Sequence, residues 1–253
     1  MDVFLEEKKR IVSYDVDVNS CWKPSAILNE MCEISERHSA SMQASRTDLL
    51  ERGYFWVLLR ARIEMRRYPV LNDEISVRTW ASHQGGRIFS RHYAFADRAK
   101  DIGYASTIWL VMNMETRQLA RAPKDMAFLN YNSQEPAPMP PLKPIRTDLP
   151  MRTMEVRSPR FSDLDMNRHM NNTRYAEWIC DTLGREQFEE NMLSALQINF
   201  LKESDQSRRI RICMAQEADR FFIEGKDDTD QTPLYEAEGI WTPRKSLEQD
   251  KVF

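Results

Sequence analysis

Six of the twelve prolines fall between Pro136 and Pro150, and the sequence before that stretch carries the same order of elements as the sequence after it. Proline has no backbone N–H and a fixed φ. The run Glu135-Pro-Ala-Pro-Met-Pro-Pro-Leu-Lys-Pro144 therefore cannot join a central sheet and is expected to run extended, as a linker. This divides the 253 residues into a first part, 1–134, a proline-rich linker, 135–150, and a second part, 151–253.

In the first part Arg10–Val18 alternates as a strand. Pro24 and Ser25 suit a helical first turn, and Ile27, Leu28, Met31, Cys32 and Ile34 give the helix an apolar side. Strands are predicted near 54–67, 74–83, 87–97 and 103–114, with Gly85-Gly86 turning the second into the third. The second part repeats this: a strand over Met151–Ser158, a loop over 160–170, a helix over 172–187, then strands near 193–203, 208–216, 219–227 and 233–242. Asp227-Asp-Thr-Asp230 with Pro233 supplies a turn. A helix followed by an antiparallel meander buries its apolar stripe by lying in the curve of the sheet. The predicted fold class is α+β, two tandem hot-dog domains, each an antiparallel sheet wrapped around one helix.

The chemistry concentrates in one place. Asp163-Leu-Asp165-Met-Asn167-Arg-His169-Met-Asn171-Asn172 crowds proton- and water-binding side chains into a loop just ahead of the second helix. Asp165, Asn167 and His169 lie two residues apart, so an extended loop would put them on one side. His169 is the natural proton acceptor near neutral pH, a nearby carboxylate would hold it, and N–H groups at the helix start could meet an oxyanion. Asn171 or Asn172 is expected to cap the helix. A calcium loop is excluded by Arg168 where glycine is needed and Arg174 where a bidentate glutamate is needed. His38, His83 and His92 have no comparable neighbours in sequence. The first part's own pre-helix loop, Asn19-Ser-Cys-Trp-Lys-Pro24, shows no Asp-x-Asn-x-His, so only the second part is expected to be catalytic, leaving the first free to shape a pocket.

The segment resembles the active-site motif of the acyl-ACP thioesterases, at Asp165, Asn167, His169, Asn171, Asn172, Tyr175 and Trp178. Two further blocks match in order. One is Trp56-Val-Leu58, Arg67-Tyr-Pro69, Asp73 and Thr79-Trp80; the other is Ile198-Asn-Phe-Leu-Lys-Glu203-Ser204, with Ser204 in place of the family cysteine. The resemblance implies Asp165, Asn167, His169 and Glu203 as catalytic residues and the same tandem arrangement. Tyr175, Trp178 and Ile179 recur at helical spacing and suit core packing; Trp56 and Trp178 are also candidates for contact with the acyl chain. Serine is a poor nucleophile unless a base activates it, and adjacent strand residues face opposite ways, so direct attack by water is favoured over a covalent route through Ser204.

The implied activity is hydrolysis of fatty acyl-ACP to a free fatty acid and holo-ACP, which calls for no cofactor or metal. An acidic carrier protein would dock on a basic rim, for which Arg160, Arg168, Arg174 and Lys202 are the candidates. Hydrolysis of acyl-CoA or an aryl thioester, a hot-dog hydratase and a non-catalytic acyl-binding protein are the alternatives. A net charge of −3 without a basic stripe argues against a nucleic-acid binder. The four cysteines form no Cys-x-x-Cys pair, against a zinc or iron–sulfur site, and read as reduced thiols. No run of about 18 apolar residues occurs, and Met1–Arg10 lacks the apolar core of a signal peptide. The expected location is cytoplasmic. A tandem pair could stand as a monomer or pair again through sheet edges as a homodimer.

Overall fold

The computed structural model describes residues 4–82, 87–120 and 135–244. The chain forms two compact units, Met1–Leu142 and Lys143–Phe253.

In the first unit, β1 (Leu5–Arg10) precedes the central helix α1 (Pro24–Ser41), a short helix α2 (Arg46–Glu51) and the strands β2 (Tyr54–Met65), β3 (Glu74–Ser82), β4 (Ile88–Asp97) and β5 (Lys100–Asn113). Every pairing is antiparallel, in the spatial order β1-β3-β4-β5-β2. The second unit repeats this with β6 (Arg152–Arg157), α3 (Asn172–Leu183), α4 (Arg185–Glu190), β7 (Asn191–Phe200), β8 (Ile210–Glu217), β9 (Arg220–Asp227) and β10 (Pro233–Pro243). Its order, β6-β8-β9-β10-β7, is the same arrangement strand for strand. This is the tandem α+β hot-dog fold expected from the pattern.

Three elements differ from the sequence reading. The first strand is Leu5–Arg10 rather than Arg10–Val18. Its sequence, Leu-Glu-Glu-Lys-Lys-Arg, pairs with β3 through the main chain at a sheet edge, where charged side chains are well tolerated and leave no apolar alternation to read. The second helix stops at Leu183, because Gly184 takes φ 82° and breaks it before α4. The six-residue helix α2, nucleated by a Ser45–Asp48 capping box, was also not foreseen. Gly85-Gly86 and His83 lie outside the described residues.

Each central helix buries its apolar face within its own unit. Ile27, Leu28, Met31 and Ile34 of α1 are buried, as are Tyr175, Ala176, Trp178 and Ile179 of α3. Full burial of such a side chain contributes about 1.5–3 kcal/mol. The Tyr175 ring packs edge-on against Tyr235 and Phe200, with centroids 4.8 and 5.7 Å apart. Tyr235 has room only because position 225 is glycine: a Cβ there would fall within the Tyr235 ring. Gly225→Ala should therefore lower the stability of the second unit by about 1–3 kcal/mol, the usual cost of overpacking, measurable by urea denaturation.

The proline-rich segment has no regular structure over 135–150 but is held at several points. Met139 and Leu142 pack with Ile108, Leu59 and Tyr104, and Arg60 Nη1 donates to the Leu142 carbonyl at 3.4 Å. Within the second unit, Gln197 Nε2 donates to the Lys143 carbonyl at 2.7 Å.

Candidate active site

The loop ahead of α3 is folded by its own side chains. A 3-10 turn, Phe161–Asp163, leads in, and an isolated bridge pairs Leu164 with Met170. Between them the chain turns back. Asp165 N–H donates to the His169 carbonyl at 2.8 Å, Arg168 N–H donates to the Asp165 carbonyl at 3.0 Å, and Arg168 takes φ 65°. The Asp165 carboxylate locks the turn: Oδ1 accepts from the Asn167 N–H at 2.8 Å and the His169 N–H at 3.1 Å, and Oδ2 accepts from Asn167 Nδ2 at 3.4 Å. The extended loop expected from two-residue spacing is thus replaced by a tight turn, because an aspartate can satisfy backbone N–H groups two and four residues on. Asp165 acts on the backbone that carries His169, its carboxylate being taken up by Asn167 and the His169 N–H and not by the imidazole.

The ring instead faces Glu203, just beyond β7. His169 Nδ1 lies 3.6 Å from Glu203 Oε2, and the two side chains are 35% and 49% exposed. An ion pair this open to solvent adds little to stability, and 3.6 Å is beyond direct hydrogen-bond range. Glu203 is held near by its neighbour: the Ser204 carbonyl accepts the Met170 N–H at 2.7 Å, clasping the strand end to the loop. Ser204 itself points inward. It is 2% exposed, and its hydroxyl lies 2.9 Å from the buried Tyr175 hydroxyl.

Asn171 is the cap of α3, its side chain accepting from Thr173 N–H at 2.9 Å. With Asn171 N–H donating to Asp163 O and Arg174 N–H to Asn171 O, most donors around the helix start are already used within the protein. Among the described residues from Asp165 to Arg174, the N–H groups of Met166 and Asn172 are the ones not taken up by an acceptor within the protein. The broad set of oxyanion donors expected from the sequence narrows to these two, and Asn172 stands at the first position of α3.

The other candidates are placed as follows. Trp178 is 1% exposed, with the Arg157 guanidinium 4.1 Å above its ring. Trp56 is half-buried in the first unit, donating from Nε1 to the Ala44 carbonyl at 3.0 Å and packing edge-on against Phe89. Arg160, Arg168 and Lys202 are exposed and make no ion pair among the described residues. Arg174 is bound to Glu177 at 2.6 Å. His38 and His92 are both buried in the first unit: Arg91 Nη1 meets His38 Nδ1 at 2.9 Å, and His92 sits between Ser82 and Ser106. Burial, and then the charge of Arg91, pushes His92 down to about 4.

The first unit contains a copy of this loop that carries no histidine. Asp17 Oδ1 accepts from the N–H groups of Asn19 at 2.8 Å and Cys21 at 3.0 Å. Asp17 N–H donates to the Cys21 carbonyl, Ser20 N–H donates to the Asp17 carbonyl, and Ser20 takes φ 60°. Val16 bridges Trp22 as Leu164 bridges Met170, after a 3-10 turn at Ser13–Asp15. Trp22 N–H donates to the Pro69 carbonyl at 2.8 Å, as Met170 does to Ser204. Asp17, Asn19 and Cys21 thus stand where Asp165, Asn167 and His169 stand in the second unit, and Tyr68 and Pro69 where Glu203 and Ser204 stand. The signal lies in Asp17-Val-Asn19, where the aspartate and asparagine keep the two-residue spacing of Asp165 and Asn167.

The acyl-ACP thioesterase N-terminal domain model matches residues 2–129, and the C-terminal domain model matches residues 148–241. The chain belongs to the acyl-ACP thioesterase family. Among relatives of this family, it is 28% identical over 212 residues to a chloroplastic acyl-[acyl-carrier-protein] hydrolase of Cuphea viscosissima, covering 76% of this chain and 50% of that protein. It is 27% identical over 219 residues to chloroplastic oleoyl-acyl carrier protein thioesterase 1 of Arabidopsis thaliana, covering 79% of this chain and 60% of the relative. The chain thus spans between half and three-fifths of the length of these two relatives. Among solved structures, an acyl-ACP thioesterase from Bacteroides thetaiotaomicron superimposes with a TM-score of 0.87 at 24% identity, over 94% of this chain and 98% of that one. The 12:0-ACP thioesterase of Umbellularia californica does so with a TM-score of 0.80 at 21% identity, over 96% and 98%. At these identities the superpositions speak for the fold. No helix among the described residues is long and apolar enough to cross a membrane.

Proposed function

We propose that the protein hydrolyses the thioester of fatty acyl-ACP, releasing a free fatty acid and holo-ACP. The observation that carries this reading is that His169, on a loop locked by Asp165, has its Nδ1 3.6 Å from Glu203 Oε2, both residues lying within the stretch matched by the family's C-terminal domain. With Nδ1 turned to Glu203, Nε2 is the nitrogen left for a water or the thioester. His169 and Glu203 hold the water and take its proton as its oxygen bonds to the acyl carbon. The carbonyl electrons move onto oxygen, where Asn172 N–H is the proposed donor, worth about 3 kcal/mol in such a role. As the carbonyl re-forms, the C–S bond breaks and the pantetheine sulfur leaves, protonated by the imidazolium. Asn167 positions the water or carbonyl. Ser204, turned away and bonded to Tyr175, is not a nucleophile in this scheme. Trp56 and Trp178 would act as packed rings that brace the acyl-binding walls of their units.

The carrier is proposed to dock on Arg160, Arg168 and Lys202; the ion pair to Glu177 makes Arg174 the weakest of the four candidates. Arg168→Glu combined with Lys202→Glu should raise KM for acyl-ACP by about tenfold through lost electrostatic steering, while sparing a small pantetheine thioester. Equal loss on both substrates would refute the docking role. No disulfide joins Cys21, Cys32, Cys180 and Cys213, which supports a reducing, cytoplasmic setting.

The deciding experiment is thiol release from acyl-ACPs of graded chain length beside the matching acyl-CoAs. Turnover of acyl-ACP with a chain-length optimum is expected. Turnover of CoA esters alone would move the reading to an acyl-CoA thioesterase, and no thiol from either would leave a binding protein or hydratase.

A further inference from the structure

The Tyr175–Ser204 hydroxyl pair takes no part in the chemistry as proposed, yet it adjoins Glu203. Ser204 joins the two segments of the site twice: its carbonyl takes the N–H of Met170, the residue after His169, and its hydroxyl meets Tyr175 in the first turns of α3 at 2.9 Å. Both residues are 2% exposed. Matching two buried hydroxyls is more demanding than packing two apolar groups of similar size, but it fixes a direction that apolar packing does not.

The first unit shows what the loop needs without them. There the main-chain clasp is retained, Trp22 N–H to Pro69 O at 2.8 Å. Proline at the position of Ser204 has no hydroxyl, and buried Ile27 stands where Tyr175 would be. The turn closes just as tightly around Asp17. The hydroxyl pair is therefore not required to form this loop, and it occurs in the unit where an acidic side chain faces a histidine. Burial pushes the Tyr175 phenol up, the bond to Ser204 opposes this, and the Glu203 charge adds to the rise, so Tyr175 and Glu203 lie within electrostatic reach of each other.

We infer that Tyr175 and Ser204 are a positioning pair that fixes the end of β7 so that Glu203 is presented to His169. This rests on the thioester-hydrolase reading, and it predicts that the pair acts through Glu203 alone.

The test compares Tyr175→Phe, Ser204→Ala, the double variant and His169→Ala in acyl-ACP turnover, with thermal melting to establish folding. Each single variant should lower kcat about tenfold, as small misplacements of a reacting group do, with KM within about twofold. The double variant should be no slower than the slower single one, since removing either partner breaks the same unit. Ser204→Ala should cost nothing further in a Glu203→Gln background. A folded Ser204→Ala enzyme with normal kcat, losses that multiply in the double variant, or a full Ser204→Ala loss persisting without Glu203 would each overturn the inference. His169→Ala separates the two levels: near-normal turnover there sinks the hydrolase site itself, whereas a dead His169→Ala beside fully active Ser204→Ala and Tyr175→Phe sinks only the positioning pair.

Discussion

His169→Ala is expected to lower kcat for thioester hydrolysis by at least about 10²-fold, within the usual range for loss of an acid–base group. The ring is half-exposed and carries no structural bond in the loop: the turn is held by Asp165, through the His169 backbone N–H and not its imidazole. The variant should therefore melt close to the parent and bind acyl-ACP with similar KM, the loss falling on kcat. Single-turnover thiol release on a folded variant is the measurement. Retention of near-normal rate would remove His169 from the reaction.

Asp165 gives the second large effect, and the choice of substitution distinguishes two roles. If the carboxylate serves as scaffold, Asp165→Asn should keep most of the activity, because an amide oxygen can accept the same N–H groups of Asn167 and His169. Asp165→Ala removes that acceptor and leaves both N–H groups to find other partners. The turn loosens, His169 drifts from Glu203, and turnover should fall by about 10²-fold, as for an ångström-scale misplacement. If Asp165 were instead an essential base, both variants would be equally slow. Comparing the two rates at one pH decides between them.

Those roles show where sequence reasoning ended. Strands β2 to β5 and β7 to β10 were legible as short runs rich in apolar and aromatic residues, set off by turn-forming or charged residues. Strand β1 was not, because an edge strand of Glu, Lys and Arg is held by main-chain bonds that leave no mark in residue type. Helix α3 was overrun because Gly184 breaks it through a backbone angle rather than a change in polarity. In the candidate site, Asp165, Asn167, His169 and Glu203 were named from the motif, and the fold brings His169 and Glu203 together. The form of the loop was not legible, since it depends on which N–H groups a carboxylate captures. Nor was the partnership of Ser204 with Tyr175, set by the packing of a helix against a strand end 29 residues away. The matching turn around Asp17 was not legible because Cys21 stands at the position of His169, which leaves the first loop without the Asp-x-Asn-x-His motif.

That turn bears on how variants of this protein should be judged. The molecule already contains, in its first unit, what amounts to a triple mutant of its own candidate site, with cysteine for histidine, tyrosine for glutamate and proline for serine. The backbone there holds the same hydrogen bonds. The shape of the loop and its chemistry are thus separable properties of the chain, and loss of rate from a change at His169 can be assigned to the reaction rather than to a collapsed loop.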